Sequence, residues 1–260
     1  MTAPIIEAAN VSKRFGTGPT AVQALRNVNL DLVGGKLTVL MGPSGSGKTT
    51  LLSILGCMLA PTAGTVRVCG TPTTGARPEE LAEIRRHHIG FVFQSYHLFS
   101  TLTVLENVLL ALDVRGERGP HAVRKSEEIL ASVGLGAKMK SFPRQLSGGE
   151  QQRVAIARAI VAEPSAILAD EPTASLDSAN GHVTMGILST IARERGRAVL
   201  VVTHDQRLFE FADRVVNIVD GALTEEELDE SSPGRREGSS GQRFMPEGIE
   251  GRRLPAHGGA

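Results

Sequence analysis

The strongest chemical signal in this chain is a run of glycines closed by a lysine and a threonine. Gly42-Pro43-Ser44-Gly45-Ser46-Gly47-Lys48-Thr49 has the spacing G-x-x-x-x-G-K-[ST]. Gly42, Gly45 and Gly47 let the backbone turn until its N–H groups face phosphate oxygens. Lys48 supplies a charge for the β- and γ-phosphates. The Thr49 hydroxyl is an oxygen ligand for Mg²⁺, a hard cation. Pro43, Ser44, Ser46 and Thr50 complete the stretch expected to wrap the phosphates of ATP.

A second constellation supplies carboxylates. Ile167-Leu168-Ala169-Asp170-Glu171 is an apolar run that ends in two acids. Asp170 can hold Mg²⁺ through water. Glu171 should point elsewhere, because successive strand residues face opposite ways. That position suits a general base for an attacking water. Alone, an apolar run ending in Asp-Glu is weak. Beside a phosphate loop it becomes a hydrolytic site.

These residues need elements to hold them. Lys36–Met41 reads as a buried strand before the loop and Lys48–Leu59 as a helix after it, whose N-terminal dipole favours phosphate. Ile5–Val11, Asn27–Leu32, Thr65–Val68 and Ile89–Phe93 read as strands, and Leu81–Arg86 as a helix. Val104–Leu112, Ala122–Val133 and Glu150–Val161 have helical spacing with few strand signals between them. They read as a helical lobe, about residues 95–162, inserted into an α/β body. Ala166–Ala169, Ala198–Val202 and Arg214–Val219 return to strands. Gly181–Arg195 and the short Phe209–Ala212 read as helices, and Asp220–Gly221 as a turn. Residues 1–228 form one expected domain. Residues 229–260 are rich in Gly, Ser, Pro, Arg and Glu and are expected to be disordered, since they bury too little to offset their ordering entropy.

Composition removes several function classes. The chain has 28 basic and 28 acidic side chains, so overall charge gives no case for nucleic acid as a partner. The hydrophobic fraction of 41% supports a sizeable core. Cys57 and Cys69 have neither disulfide nor metal spacing and are expected to be small core residues in a reduced compartment. Met1–Asn10 has no basic start followed by an apolar stretch, so no signal peptide is expected. No window reaches the roughly 18 apolar residues of a membrane helix.

Leu146-Ser147-Gly148-Gly149-Glu150, followed by Gln151-Gln152-Arg153, resembles the signature of the ATP-binding-cassette (ABC) ATPases. The other motifs of that family occur around it in order. Gln94 is similar to the Q-loop glutamine, Ser175-Leu176-Asp177 to the D-loop, and His204 in Thr203-His204-Asp205 to the switch histidine. Phe15 stands where the family has an aromatic that stacks on adenine. The resemblance covers about Ile5–Leu228. It implies an α/β fold, a P-loop NTPase of ABC type with a mixed sheet core, an antiparallel β subdomain and the inserted α-helical lobe.

The resemblance also implies a division of labour. Ser147 should cap a helix whose exposed N–H groups meet the γ-phosphate held by a second subunit. A head-to-tail homodimer with two ATPs follows from that. His204 should contact the γ-phosphate and orient water with Glu171, and Gln94 should touch Mg²⁺ and lead into the helical lobe. The remaining histidines, His87 and His88 included, have no role beyond surface polarity. Gln94-Ser95-Tyr96-His97-Leu98-Phe99, the Glu150 signature and Leu168–Thr173 resemble cassettes of the MacB, LolD and DevA type. Ala174, Thr203–Arg207 and Ala212-Asp213-Arg214 point to the DevA-like exporters.

Such cassettes work with a separate membrane permease, often with a membrane-fusion protein, at the cytoplasmic face of the bacterial inner membrane. Their substrates are lipids, lipoproteins, peptides or drug-like compounds. Tyr96, Leu98, Phe99 and Leu102 either form a patch for a permease helix or pack inside the lobe. An importer subunit is the alternative, since the cassette motifs barely separate the two directions. A soluble cassette of DNA repair or translation fits less well, because no long heptad run and no second cassette is present.

Overall fold

A six-stranded sheet and a four-stranded sheet organise the protein, whose computed structural model describes residues 3–226. The chain begins with β1 (Ile6–Phe15), β2 (Val22–Leu32), β3 (Leu37–Met41) and α1 (Lys48–Leu55). It continues through β4 (Ala63–Val68), β5 (Thr71–Pro72), α2 (Pro78–His88) and β6 (Ile89–Val92). Three helices follow: α3 (Val104–Val114), α4 (Pro120–Ser132) and α5 (Gly148–Ile160). The last part holds β7 (Ala166–Asp170), α6 (Ser178–Arg195), β8 (Ala198–Thr203), β9 (Arg214–Val219) and β10 (Ala222–Glu226). Among the described residues no helix is long and apolar enough to cross a membrane. The segment expected to be disordered lies outside the described residues.

The large sheet has the order β10-β9-β3-β8-β7-β6. Every pairing from β9 to β6 is parallel, and only β10 runs antiparallel at the edge. The small sheet, β2-β1-β4-β5, is antiparallel throughout. The mixed core with an antiparallel subdomain is therefore as expected. The parallel strands are buried on both faces, which explains their continuous apolar runs such as Ala198–Thr203.

Three clusters make up the core. One lies between the small sheet, α1 and one face of the large sheet, with Ile6, Leu30, Leu51 and Leu168 among its members. A second lies on the opposite face under α6 and includes Val39, Ile167, Met185 and Leu188. The third belongs to α3, α4 and α5 and includes Val104, Leu112, Leu130 and Val154. Helix α5 serves two of them. Ile156 and Ile160 face the α/β body, and Val154, Ala157 and Val161 face the helical lobe.

Several boundaries differ from the periodicity reading, for local reasons. β1 and β2 are longer because they continue through irregularities at Asn10 and Asn27, whose φ values are +52° and +46°. A bulge interrupts alternation without ending a strand. α1 stops at Leu55 because Cys57, two residues on, turns left-handed at φ +58°. α2 starts earlier, with Pro78 in its first turn, where the missing N–H costs nothing. Gln206–Phe211 is a 3-10 turn rather than an α-helix. β10, which the periodicity did not suggest, pairs with β9 across Asp220 and Gly221, both at positive φ as a tight hairpin requires. Cys57 is buried as expected, but Cys69 is exposed. It sits in the turn between β4 and β5 at φ +48°, where its side chain leaves the core.

Candidate functional site

The carboxyl ends of four adjacent parallel strands gather the predicted residues. In sheet order, β3 leads into Gly42–Thr49, β8 into His204, β7 into Glu171, and β6 into Gln94. The register pairs Met41 with Thr203 and Asp170 with Val202, so these ends are level. The crevice at the carboxyl edge of an open α/β sheet is where ligands bind in this architecture.

The phosphate loop is shaped by close packing. Gly47 caps α1 at φ +106°, and a Cβ there would lie 2.6 Å from the Ala24 carbonyl oxygen. A Cβ on Gly42 would meet the Ile218 carbonyl oxygen at 2.2 Å. The loop is thus wedged between β2 and the end of β9. The Gly221 amide donates to Ser46 O at 3.0 Å and fastens it there. Lys48 is 9% exposed, and its Nζ donates to Gly42 O at 2.7 Å and Pro43 O at 2.9 Å. The amine therefore lies folded against the loop itself. The Ser46 hydroxyl is buried with no protein partner.

Asp170 stands beside the Thr49 side chain. Burial, and then the neighbouring Glu171 charge, push the Asp170 carboxyl above its ordinary range, while Lys48 and Thr49 oppose this. A carboxylate destabilised in that way favours a nearby cation. Thr49 and Asp170 offer oxygen donors only, which suits Mg²⁺, a metal that keeps waters and takes few protein ligands. Among the described residues no group of three or more His, Cys, Asp or Glu forms an all-protein metal cage. The residues present fit Mg²⁺ shared with phosphates.

Glu171 diverges from Asp170 for a different reason than strand alternation. It has left the strand, with φ +47°, and its amide donates to Val202 O at 2.9 Å. One carboxylate oxygen lies 2.9 Å from His204 Nδ1, and the other is buried without a partner. Glu171 is mostly buried, whereas His204 is 70% exposed. The pair can hold a water and accept its proton. Asp205, beside His204, accepts from the Arg207 amide at 3.0 Å, and Arg207 also reaches Ser178 Oγ at 3.1 Å. The His204 turn is therefore tied to the start of α6.

The signature residues form a separate center. Ser147 caps α5 by accepting from the Glu150 amide at 3.3 Å, and the Glu150 carboxylate accepts from the Ser147 amide at 2.8 Å. This reciprocal cap closes the first turn, and the Ser147 amide holds the Glu150 carboxyl below the usual range. Lys138 stands 3.8 Å from Glu150. Leu146 is buried below the turn. Ser175 and Leu176 lie beside Gly148, and Asn180 lies so close to Gly149 that a Cβ would sit 2.4 Å from its oxygen. Asp177 caps α6 by accepting from the Asn180 amide at 2.8 Å. Signature and D-loop are thus packed together. Among the described residues no hydrogen bond joins them to the phosphate loop of the same chain.

Other predicted residues stand apart. Gln94 is exposed and makes no hydrogen bond with Thr49 or Asp170. Phe15 is 43% exposed, with Lys13 Nζ 5.2 Å from its ring centroid. Of the apolar group after Gln94, Phe99 is 52% exposed, while Tyr96, Leu98 and Leu102 are half-buried. A groove of about 320 Å³ runs beside them, lined by Phe91, Phe93, His97, Ala111 and Arg158. His88 is not merely a surface group. Its Nδ1 lies 3.2 Å from Ser165 Oγ, and burial pushes its pKa down.

Two positioning residues escaped the sequence reading. Asn107 is fully buried and binds Phe99 through both its N–H and its C=O, and its amide also donates to Leu102 O and Thr103 O. Arg158 donates to Tyr96 O at 2.7 Å and His97 O at 2.5 Å. The available signal was a polar residue inside an apolar helical stripe.

Comparison with known proteins agrees with this geometry. The family model described as ABC transporter matches residues 25–174. The chain is 41% identical over 222 residues to the lipoprotein-releasing system ATP-binding protein LolD of Bordetella pertussis, covering 85% of this chain and 96% of that protein. It is 40% identical over 233 residues to the macrolide export ATP-binding/permease protein MacB 1 of Aeromonas hydrophila. That match covers 90% of this chain but 36% of MacB 1, so the chain spans about a third of that relative. Among solved structures it is similar to the dimeric ATP-binding cassette MJ0796 in a post-hydrolysis state bound to ADP and Pi. That likeness has TM-score 0.78 and 42% identity, and covers 85% of this chain and 97% of the other.

Proposed function

Because this chain belongs to the ABC transporter family of ATP-binding cassettes, we propose that two copies close head to tail around two ATPs and drive a separate membrane permease. Its activity is ATP hydrolysis coupled to transport. The observation that carries the reading is the gathering of Lys48, Asp170, Glu171 and His204 at the carboxyl edge of one parallel sheet, with the capped signature turn of the same chain at a separate place. A phosphate loop without an opposite anion site is half a site. A second copy, turned head to tail, supplies the missing half.

Residue roles follow from chemistry. The loop amides and Lys48 hold the β- and γ-phosphates, and Lys48 exchanges its carbonyl partners for phosphate oxygens. Phe15 stacks on the adenine. Mg²⁺, held by Thr49, Asp170 through water, and Gln94, would neutralise charge on the transferred phosphoryl group. Glu171 accepts the proton of the attacking water, and His204 orients that water from the opposite side. Ser147, Gly148 and Gly149 of the second copy donate to the γ-phosphate. Ser175–Asp177 lines the seam between copies.

The relatives named for macrolide export and lipoprotein release support export or extraction of a lipid, lipoprotein, peptide or drug-like compound. The cassette sits peripherally at the cytoplasmic face of the bacterial inner membrane, with the permease in the bilayer and a membrane-fusion protein beyond it. Reconstitution tests this. Candidate permeases are co-expressed with the chain, purified with it and placed in proteoliposomes. ATP turnover should rise with the cognate permease and fall when the groove beside Phe99 is blocked. Turnover indifferent to every permease that co-purifies defeats the transport reading.

A further inference from the structure

Lys13 and Phe15 stand two positions apart on β1, and the ammonium nitrogen of one lies 5.2 Å from the ring centroid of the other. The same nitrogen donates to Ala60 O at 2.7 Å. Among the described residues no carboxylate pairs with it. The charge is therefore placed by a carbonyl and by the face of an aromatic ring, which attracts a cation because it carries negative charge.

The surroundings fix this placement. Residues 60–62 leave the end of α1 and are strapped to β1. The Thr62 amide donates to Ser12 O at 2.8 Å, and the Arg14 amide donates to Thr62 Oγ1 at 3.1 Å. Before that strap, the Met58 and Leu59 amides both return to Ser53 O of α1, at 2.9 and 3.1 Å. On its other flank Lys13 pairs with Leu25 of β2, whose Cδ2 would lie 2.9 Å from a Cβ on Gly47. Lys13 thus stands where β1 is joined to both ends of α1, the helix that opens on the phosphate loop. Phe15 itself is 43% exposed, and Val22, opposite it on β2, is 62% exposed. The ring is open to a ligand while the ammonium lies against it.

We infer that Lys13 is a positioning residue for the nucleobase, whose ammonium backs the Phe15 ring, fixes the plane on which a base stacks and favours purine over pyrimidine triphosphates. The inference rests on the reading above of Phe15 as the adenine platform. Two aromatic faces laid directly on one another repel, because both are negative. A cation behind one ring draws π density towards itself and eases that repulsion at the front. A purine covers more of the ring than a pyrimidine does, so it gains more. A phenylalanine also has no hydroxyl to orient it, so the contact with Lys13 supplies the orientation. Through Ala60 and Leu25 the same lysine sets where the platform stands relative to the phosphate loop.

The test is steady-state turnover of the full chain with ATP, GTP, CTP and UTP. Inhibition by inorganic triphosphate serves as a probe with phosphates and no base, and thermal melts run alongside. The variants are Lys13→Met, Lys13→Arg, Phe15→Leu and the double variant Lys13→Met with Phe15→Leu. Lys13→Met should raise KM for ATP by roughly three- to tenfold, the size of a cation–π contact, with the change in KM rather than kcat. The purine-to-pyrimidine ratio of kcat/KM should fall, and inhibition by triphosphate should match the parent. Lys13→Arg keeps a cation that stacks on aromatic faces and should restore both KM and the ratio. In Phe15→Leu the further change Lys13→Met should add nothing, because no ring is left to back. A parental KM for ATP in a folded Lys13→Met overturns the inference. So does an equal loss for all four nucleotides and for triphosphate, which makes Lys13 a phosphate contact or a brace of the fold. Parental KM in Phe15→Leu overturns the platform reading and the inference with it, whereas a raised KM there to which Lys13→Met adds its full effect overturns the inference alone. Should Lys13→Met not fold, Lys13→Gln, which keeps a donor for Ala60 without the charge, takes its place, and a parental purine preference in that variant defeats the inference.

Discussion

Glu171 and His204 meet at 2.9 Å, carboxylate oxygen to Nδ1, although 33 positions separate them in the chain. The meeting is made by sheet order. β7 and β8 are neighbours, and Glu171 turns out of β7 onto Val202 just before β8 ends. The second Glu171 oxygen is buried without a partner. One oxygen is thus held by the histidine, and the other keeps its hydrogen-bonding capacity unused.

That arrangement sets the first expectation. Glu171→Gln keeps the size and loses the base. Hydrolysis should fall by roughly 10²–10⁴-fold, the span associated with a positioned general base. ATP binding should persist, and the variant should elute as a dimer in ATP during size-exclusion chromatography. Normal turnover in this variant contradicts the assignment of the base.

Lys48 tests the phosphate loop. The amine already satisfies two loop carbonyls, Gly42 and Pro43, and needs only to rotate towards phosphate. Lys48→Ala removes a charge-assisted contact of about 1.5–3 kcal/mol, or roughly ten- to a hundred-fold in ATP affinity. Isothermal titration of the monomer reads this directly. The folded state should survive, because the lost hydrogen bonds lie at the rim of the crevice.

Ser147→Arg separates the two halves of the composite site. Monomer affinity for ATP should be unchanged, since the signature turn makes no hydrogen bond to its own phosphate loop. ATP-driven dimerisation should be abolished by the bulk at the second anion site. The loss of the serine cap also costs about 0.5–2 kcal/mol of stability, which a thermal melt resolves. A dimer that still forms in ATP defeats the head-to-tail arrangement.

Asp170 links function to stability through its raised pKa. The carboxyl binds its proton more tightly folded than unfolded. Stability is therefore greatest below the unfolded value near 3.9 and declines as pH rises through the folded value, with the penalty fully present at neutral pH. Asp170→Asn should melt higher than the parent at pH 7 without nucleotide, by roughly 2–4 °C for each kcal/mol recovered. The gain should vanish at low pH. Mg²⁺-dependent ATP binding should weaken in the same variant. An Asn variant that melts lower at pH 7 contradicts the burial argument.

His88 carries the opposite sign. Burial and the nearby charges of His87 and Arg115 lower its pKa. The unfolded chain then binds the proton more readily, so the folded state should lose stability as pH falls through about 6.5. His88→Gln keeps a partner for Ser165 and should flatten the melting temperature between pH 7 and 5.5. A parental slope in that variant assigns the acid sensitivity elsewhere.

The sequence by itself determined whatever is local. The phosphate loop, the acids at the end of β7, the capped signature turn and the parallel strands were all legible, because spacing along a few residues sets how a backbone turns and what it presents. Cys69 and the ends of β1, β2 and α1 were misread where single residues take positive φ, since periodicity carries no record of a left-handed residue that is not glycine. What only the tertiary structure decided is which local pieces meet. Glu171 reaches His204 because β8 lies between β3 and β7. Arg158 reaches Tyr96 and His97 because α5 packs back onto the end of β6. Those contacts depend on strand order and helix packing, which bring together residues 33 and 62 positions apart, and no pattern of neighbours in a chain encodes distances of that kind directly.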